Sequence, residues 1–430
     1  MEIIMPIAES VLKKVVLDQQ AGELLPTVYM QRDLEPKIIS LGLNREIIVL
    51  TGIRRCGKSV LQQFVRSRAT ERDYYLNFED ERLVNFTLED FQSLQELFIS
   101  LFGEQKHYYF DEIQNIVGWE IFVRRLYNEG NKIYITGSNA NLFSEELGTR
   151  LTGRYIGVQV YTISFFEFIS HVEPEISESI DRLTTVKTGR IKQLFEEYLS
   201  VGGIPEYIKN RQVDYLHFLY ESILFRDIVT RYKIIDVVSI KKLIYFLASN
   251  CSKEITYTSL RKMLGVKSAT TVSDYCGYIE NSYLCYFVNI YSDSVKAQQV
   301  NPKKIYFADH VLARLLGFRT GGDDGFTLEN IVFLELKRRG FSLFYFKDKY
   351  GCDFVVRSEQ HTVQVIQVCH ELQEPKTKQR EYNGLIEAIE RFNLSSGTII
   401  TLNEDRKDII TVGEKEYQIT IAPIWLWLLS

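Results

Sequence analysis

Residues 52–59 read Gly-Ile-Arg-Arg-Cys-Gly-Lys-Ser and lie between the apolar run EIIVLT and the amphipathic run KSVLQQFVRS. This is a full match to G-x-x-x-x-G-K-S/T in a strand-to-helix setting, and few folds accommodate it. Gly52 and Gly57 let the backbone curl so that successive N–H groups and a helix N-terminus face one point, a ready seat for phosphate. The segment Gly52, Ile53, Arg54, Arg55, Cys56, Gly57, Lys58, Ser59 and Val60 is therefore the expected nucleotide cradle. In it Lys58 bridges the β- and γ-phosphates of ATP, and the Ser59 hydroxyl ligates Mg²⁺.

The surrounding pattern agrees. From 46 to 162, short apolar runs alternate with helix-length amphipathic stretches, which predicts an α/β domain with a mostly parallel sheet. Residues 163–238 change to helical spacing (IKQLFEEYL, YLHFLYESILFRDIV), a helical lid. Residues 239–316 read as three helices broken at Gly265, then strand runs, which suggests a winged helix. After the break GFRTGGDDG a second α/β pattern fills 317–430, and residues 1–45 form an N-terminal extension.

A phosphate cradle needs a carboxylate on the metal side and a group to orient water. His107-Tyr-Tyr-Phe-Asp111-Glu112 is an apolar strand ending in two acids: Asp111 suits the Mg²⁺ shell and Glu112 a general base. Lys132-Ile-Tyr-Ile-Thr136-Gly-Ser138-Asn139 is a further strand with small polar groups at its tip, where Ser138 or Asn139 can sense the γ-phosphate; plain turn chemistry explains the same residues. Glu79, Asp80 and Glu81 add an acidic rim. Phosphoryl transfer also benefits from a mobile cation. Arg150 and Arg154 are candidates that reach a neighbouring subunit, and Arg54 and Arg55 lie in the loop itself, with surface ion pairs as the alternative.

Together GIRRCGKS, NFEDERL, YFDEIQ, ITGSNA, LTGRY, ISFFEF, GGIPEY and LFRDIVTRYKI resemble, over nearly the whole chain, one family. It comprises the prokaryotic AAA-type ATP-binding proteins that end in a domain of unknown function with a restriction-endonuclease-like core. The resemblance implies an added-strand P-loop core, Asp111 and Glu112 as the Walker B acids, Asn139 or Ser138 as the sensor, and Arg154 as the arginine of an LxGR motif.

Nucleases of the PD-(D/E)xK type need two carboxylates for Mg²⁺ and a lysine. Here Glu329, Glu335 and Asp353 are followed by Gln367-Val368-Cys369 where the acid-x-lysine triplet belongs, so cleavage is expected to be lost unless Lys347 or Lys349 substitutes.

Charge bears on partners. Residues 240–305 hold nine Lys/Arg against four Asp/Glu in a chain of net charge −5, which points to DNA or RNA at the winged helix. Its third helix, ATTVSDYCGYIEN, has no Lys or Arg, so the contact expected is to the phosphate backbone through Arg261, Lys262, Lys267, Lys303 and Lys304. Six cysteines without a C-x-x-C pair fit reduced thiols, and six scattered histidines give no metal cluster. No apolar run reaches the roughly 18 residues that span a bilayer, and a cytoplasmic location is expected. The sequence thus predicts a P-loop ATPase that couples Mg·ATP hydrolysis to movement, with a nucleic acid, a macromolecule or another copy of itself as partner. A nucleotide-gated switch with slow turnover and an ATP-dependent nuclease are the alternatives.

Overall fold

The structure, a computed structural model, describes the chain except residues 1–6, 23–24, 70–71, 141–150, 152, 181–182, 319–324 and 360. Arg150 lies outside the described residues. Two compact units result: Met1–Val160 joined by Asn281–Tyr283, and Tyr161–Glu280 with Leu284–Ser430.

The first unit is built on five parallel strands: β1 (Ile47–Thr51), β2 (Asp73–Asn77), β3 (His107–Asp111), β4 (Lys132–Gly137) and β5 (Tyr155–Gln159). Their order is β2-β3-β4-β1-β5, so β4 separates β1 from β3 and the C-terminal ends of all three lie along one edge of the sheet. Every residue of β1 and β4 is buried, as expected of strands covered on both faces. The helix Lys58–Arg68 crosses the sheet, and Gln62 Nε2 donates to the carbonyls of Phe110 (3.2 Å) and Tyr134 (3.3 Å), tying β3 to β4. The described residues before position 46 are part of this unit: the helix Glu9–Gln20 buries Leu12, Val15 and Val16 in the core that holds Ile47, Val49 and Phe110.

The second unit begins with the helices foreseen from the 163–238 spacing. Phe165–Val172 starts with a reciprocal capping box between Ser164 and Glu167, and Thr185–Val201 ends at Gly202. Gly202 has φ +68, and a Cβ there would lie 2.2 Å from Asp309 Oδ1, so only glycine fits. Next come the helices Val237–Ser249, Tyr257–Leu264 and Ala269–Asn281, the last of which ends in the first unit. A three-stranded antiparallel sheet in the order β6-β8-β7 combines β6 (Glu254–Ile255), between the first two of these helices, with β7 (Cys285–Asn289) and β8 (Lys303–Phe307), after the third. The helix Gly325–Arg338 leads into a mixed sheet of six strands: β9 (Ser342–Lys347), β10 (Gly351–Ser358), β11 (His361–Val368), β12 (Ser396–Thr401), β13 (Arg406–Val412) and β14 (Lys415–Pro423). Their order is β13-β14-β12-β11-β10-β9, with β11, β12 and β14 parallel. No helix among the described residues is long and apolar enough to cross a membrane.

Candidate active site

The loop after β1 takes a shape that most side chains forbid. Gly52 has φ +150, and a Cβ on it would stand 2.1 Å from the Val160 carbonyl oxygen; Gly57 has φ +103. Lys58 is buried and folds back into the loop, donating to the carbonyls of Gly52 (3.2 Å) and Ile53 (3.1 Å) with its Nζ 3.9 Å from Glu112 Oε1. Such neutral acceptors can be exchanged for phosphate oxygens at small cost, because an ionised acceptor makes the stronger bond to the ammonium.

Asp111 ends β3 beside this loop and is buried. Its Oδ1 accepts from Ser59 Oγ (2.9 Å) and from Thr136 Oγ1, and its Oδ2 accepts from Asn77 Nδ2 (3.1 Å). Burial pushes its carboxyl up to about 6, the Glu112 charge adds to that, and the Thr136 and Ser59 hydroxyls and the Lys58 charge oppose it. A carboxylate kept from water yet paired with a serine hydroxyl fits a divalent cation, which replaces the missing hydration. Glu112 diverges from Asp111 because its backbone is left-handed (φ 52), a conformation that costs a non-glycine residue about 1–3 kcal/mol. Its N–H donates to Thr136 Oγ1 (3.1 Å), and its Oε2 accepts from Ser138 Oγ (3.3 Å) and Gln114 Nε2. Ser138 and Asn139, both buried, follow β4 between the ends of β3 and β1.

The predicted residues Lys58, Ser59, Asp111, Glu112 and Ser138 are linked by these contacts, with Asn139 next in the chain. Arg54 is taken up by the acidic rim, its Nη1 2.7 Å from Glu79 Oε1, whereas Arg55 is exposed with φ 65. Arg154 is elsewhere. It precedes β5, and its carbonyl accepts from the N–H of Ile47, the first residue of β1, so it stands at the opposite end of the strands from the phosphate loop of its own chain.

Two contributors escaped the motif reading. Arg32 is buried, and its Nη1 donates to the Cys56 carbonyl (2.9 Å) and lies against Gly57; Glu35 in turn accepts from the Arg32 N–H (2.7 Å) and the Tyr29 hydroxyl. Tyr283, also buried, donates from its hydroxyl to Thr51 Oγ1 (2.8 Å), at the last residue before the loop. Pro36 signals the start of the helix Glu35–Gly42, but no local spacing connects Arg32 to a loop 24 residues later.

The second unit holds another charged group. Lys304 Nζ donates to Asp353 Oδ1 (2.6 Å) and Glu329 Oε1 (3.0 Å). The suggested substitutes are engaged elsewhere: Lys347 pairs with Glu254 (2.6 Å), and Lys349 Nζ sits over the Tyr350 ring. Gln367 is not turned to a cation, because its Oε1 accepts from the Asp353 N–H (3.1 Å) and its Nε2 donates to Glu381. Lys304, paired with both acids, is therefore withdrawn from the set of cations expected to meet nucleic acid, and Lys303 Nζ donates to Asn289 Oδ1. Glu335 pairs with Arg338 and Arg339 rather than joining Asp353.

A family model described as an AAA domain matches residues 44–169, and one described as a domain of unknown function (DUF8612) matches 192–321, upstream of the C-terminal region where the resemblance had put such a domain. An uncharacterized protein of Methanocaldococcus jannaschii, MJ1544, is 34% identical over 417 residues, which cover 93% of this chain and 91% of the relative. An uncharacterized protein of Haemophilus influenzae is 34% identical over 344 residues, covering 76% of this chain and 83% of that one. Among solved structures, the Walker-type ATPase PABY2304 of Pyrococcus abyssi aligns at 16% identity with a TM-score of 0.45, over 69% of this chain and 98% of that chain.

Proposed function

The chain belongs to the family that includes MJ1544 and carries an AAA domain, and from this we propose that it binds Mg·ATP at the loop 52–59 and hydrolyses it. The observation that carries the reading is the hydrogen bond of Ser59 to Asp111, which unites the loop with the end of β3, flanked by Glu112 and Ser138.

Lys58 would leave the carbonyls of Gly52 and Ile53 for the β- and γ-phosphates, and the loop N–H groups would hold the remaining oxygens. Ser59 and Asp111 would hold Mg²⁺, which supplies charge neutralisation along the phosphate chain. Glu112 accepts a proton from water as the water oxygen attacks the γ-phosphorus, and the bond to the bridging oxygen breaks with its electron pair going to ADP. Asn139 orients the γ-phosphate or the water. Glu112→Gln should keep ATP binding while turnover falls by about 10²–10⁴-fold. Undiminished phosphate release by that variant would remove Glu112 from the base role.

The position of Arg154 favours a second reading, a switch that turns over slowly when a single chain acts alone. If Arg154 serves a neighbouring copy, the ATPase rate per chain rises with protein concentration and the Arg154→Ala rate does not; if Arg150 does, the Arg150→Ala rate is the one that stays flat.

Three helices, with a short strand after the first and two more strands after the third that form one small antiparallel sheet, support the winged-helix reading, with domain boundaries near 45, 162, 238 and 316. Nucleic-acid contact then rests on Arg261, Lys262 and Lys267, of which Lys262 and Lys267 are exposed. Duplex and single-stranded DNA added to the ATPase assay test it: Lys262→Glu with Lys267→Glu should abolish any stimulation.

A further inference from the structure

The cavity around Asp353, of about 640 Å³, has Lys304, Glu329, Asp353, Gln367 and Glu381 in its wall. We propose that the Lys304 ammonium occupies a divalent-cation seat there, so that the chain itself supplies the cation and the cleft takes up no metal. Two carboxylates from separate elements, the helix Gly325–Arg338 and β10, converge on a single positive centre 2.6 and 3.0 Å away. Each acid also accepts one further bond. Asp353 Oδ2 accepts from the Val368 N–H (2.9 Å), and Glu329 Oε1 also accepts from the Tyr306 hydroxyl (2.6 Å). Oxygen ligands from two carboxylates with room for water are what Mg²⁺ or Mn²⁺ takes.

The lysine is also unable to step aside. It comes from the middle strand of the three-stranded sheet, where Lys304 is in register with Glu254 on one side and Val288 on the other. Its backbone is thus held along both edges, and its side chain ends between the two acids. An ammonium fills the charge but lacks a vacant coordination position, so it neither polarises a phosphoryl oxygen nor generates hydroxide. The cleft is thereby shut to metal-assisted hydrolysis, and the ion trio instead fastens β8 to the C-terminal sheet.

The test is Mn²⁺ titration of the nucleotide-free full chain, read by water-proton relaxation and by the free-ion electron paramagnetic signal. Lys304→Met should gain one Mn²⁺ per chain, bound at least about tenfold more tightly than any Mn²⁺ in the wild type, and adding Asp353→Asn should remove it. A folded Lys304→Met chain, by its circular-dichroism melt, with no gain over wild type would overturn the proposal. If Lys304→Met does not fold, the wild type decides: no Mn²⁺ that Asp353→Asn removes supports the seat being filled, and any such Mn²⁺ refutes it.

Discussion

Each unit places a lysine near two carboxylates, Lys58 buried and Lys304 largely so, and they do so to opposite effect. Lys58 spends its hydrogen bonds on two carbonyls and keeps 3.9 Å from Glu112, while hydroxyl and amide groups satisfy Asp111. Lys304 is clamped directly between Glu329 and Asp353. Burial draws the Lys304 ammonium down, but the two carboxylates outweigh it and hold it above its ordinary value. What separates a working cation from a structural one here is how readily its partners can be exchanged. A carbonyl gives way to a phosphate oxygen; a pair of convergent carboxylates yields only to another cation.

Exchanging each lysine for methionine tests that contrast most strongly. Lys304→Met strands the buried Glu329 and the partly buried Asp353 and should lower stability by about 3–5 kcal/mol in urea titrations, with ATP affinity unchanged. An unaltered urea midpoint would mean that the clamp holds nothing. Lys58→Met should act the other way, with ATP binding weakened about 100-fold by calorimetry, equivalent to about 2.7 kcal/mol, and stability little changed.

Arg32→Ala is expected to be intermediate. Loss of its bond to the Cys56 carbonyl should weaken ATP binding by about tenfold, a hydrogen bond of a charged donor contributing about 1.5–3 kcal/mol. Equal affinity for both proteins would show that the loop keeps its turn without help.

The smallest effect is in the pH response. Burial, then the Asp353 charge, push Glu329 up to about 7 against its ordinary 4.5. A raised carboxyl favours the folded state while it is protonated, so that contribution is complete below 4.5 and is lost as pH rises through about 7. Between pH 5 and 8 the urea midpoint of Glu329→Gln should therefore fall less than that of the wild type. A parallel fall in both would place the titration on another group.

The parts of this arrangement that the sequence reveals are those whose residues are close together in the chain. Gly52 to Ser59 state their own geometry, and wholly buried strands such as IIVLT and KIYITG are readable because covering both faces leaves no polar alternation. Asp111 and Glu112 are legible as the end of such a strand. Lys304 is not, since its partners lie 25 and 49 residues onward on different elements, and within its own run it reads as an exposed hairpin lysine. Arg32 and Tyr283 are concealed for the same reason, the latter touching a residue 232 positions earlier. Arg154 is legible only as part of its motif, and a motif does not say at which end of a strand it will sit.

The Arg32 contact also bears on how portable the ATP-binding part of this molecule is. A fragment cut to residues 44–169 would retain every side chain of the phosphate loop and both acids, yet lose the outside prop that pins the turn at Cys56 and the tyrosine that anchors Thr51. Such an excised piece should fold into the right sheet and grip its ligand poorly, a competent frame around a slack hinge.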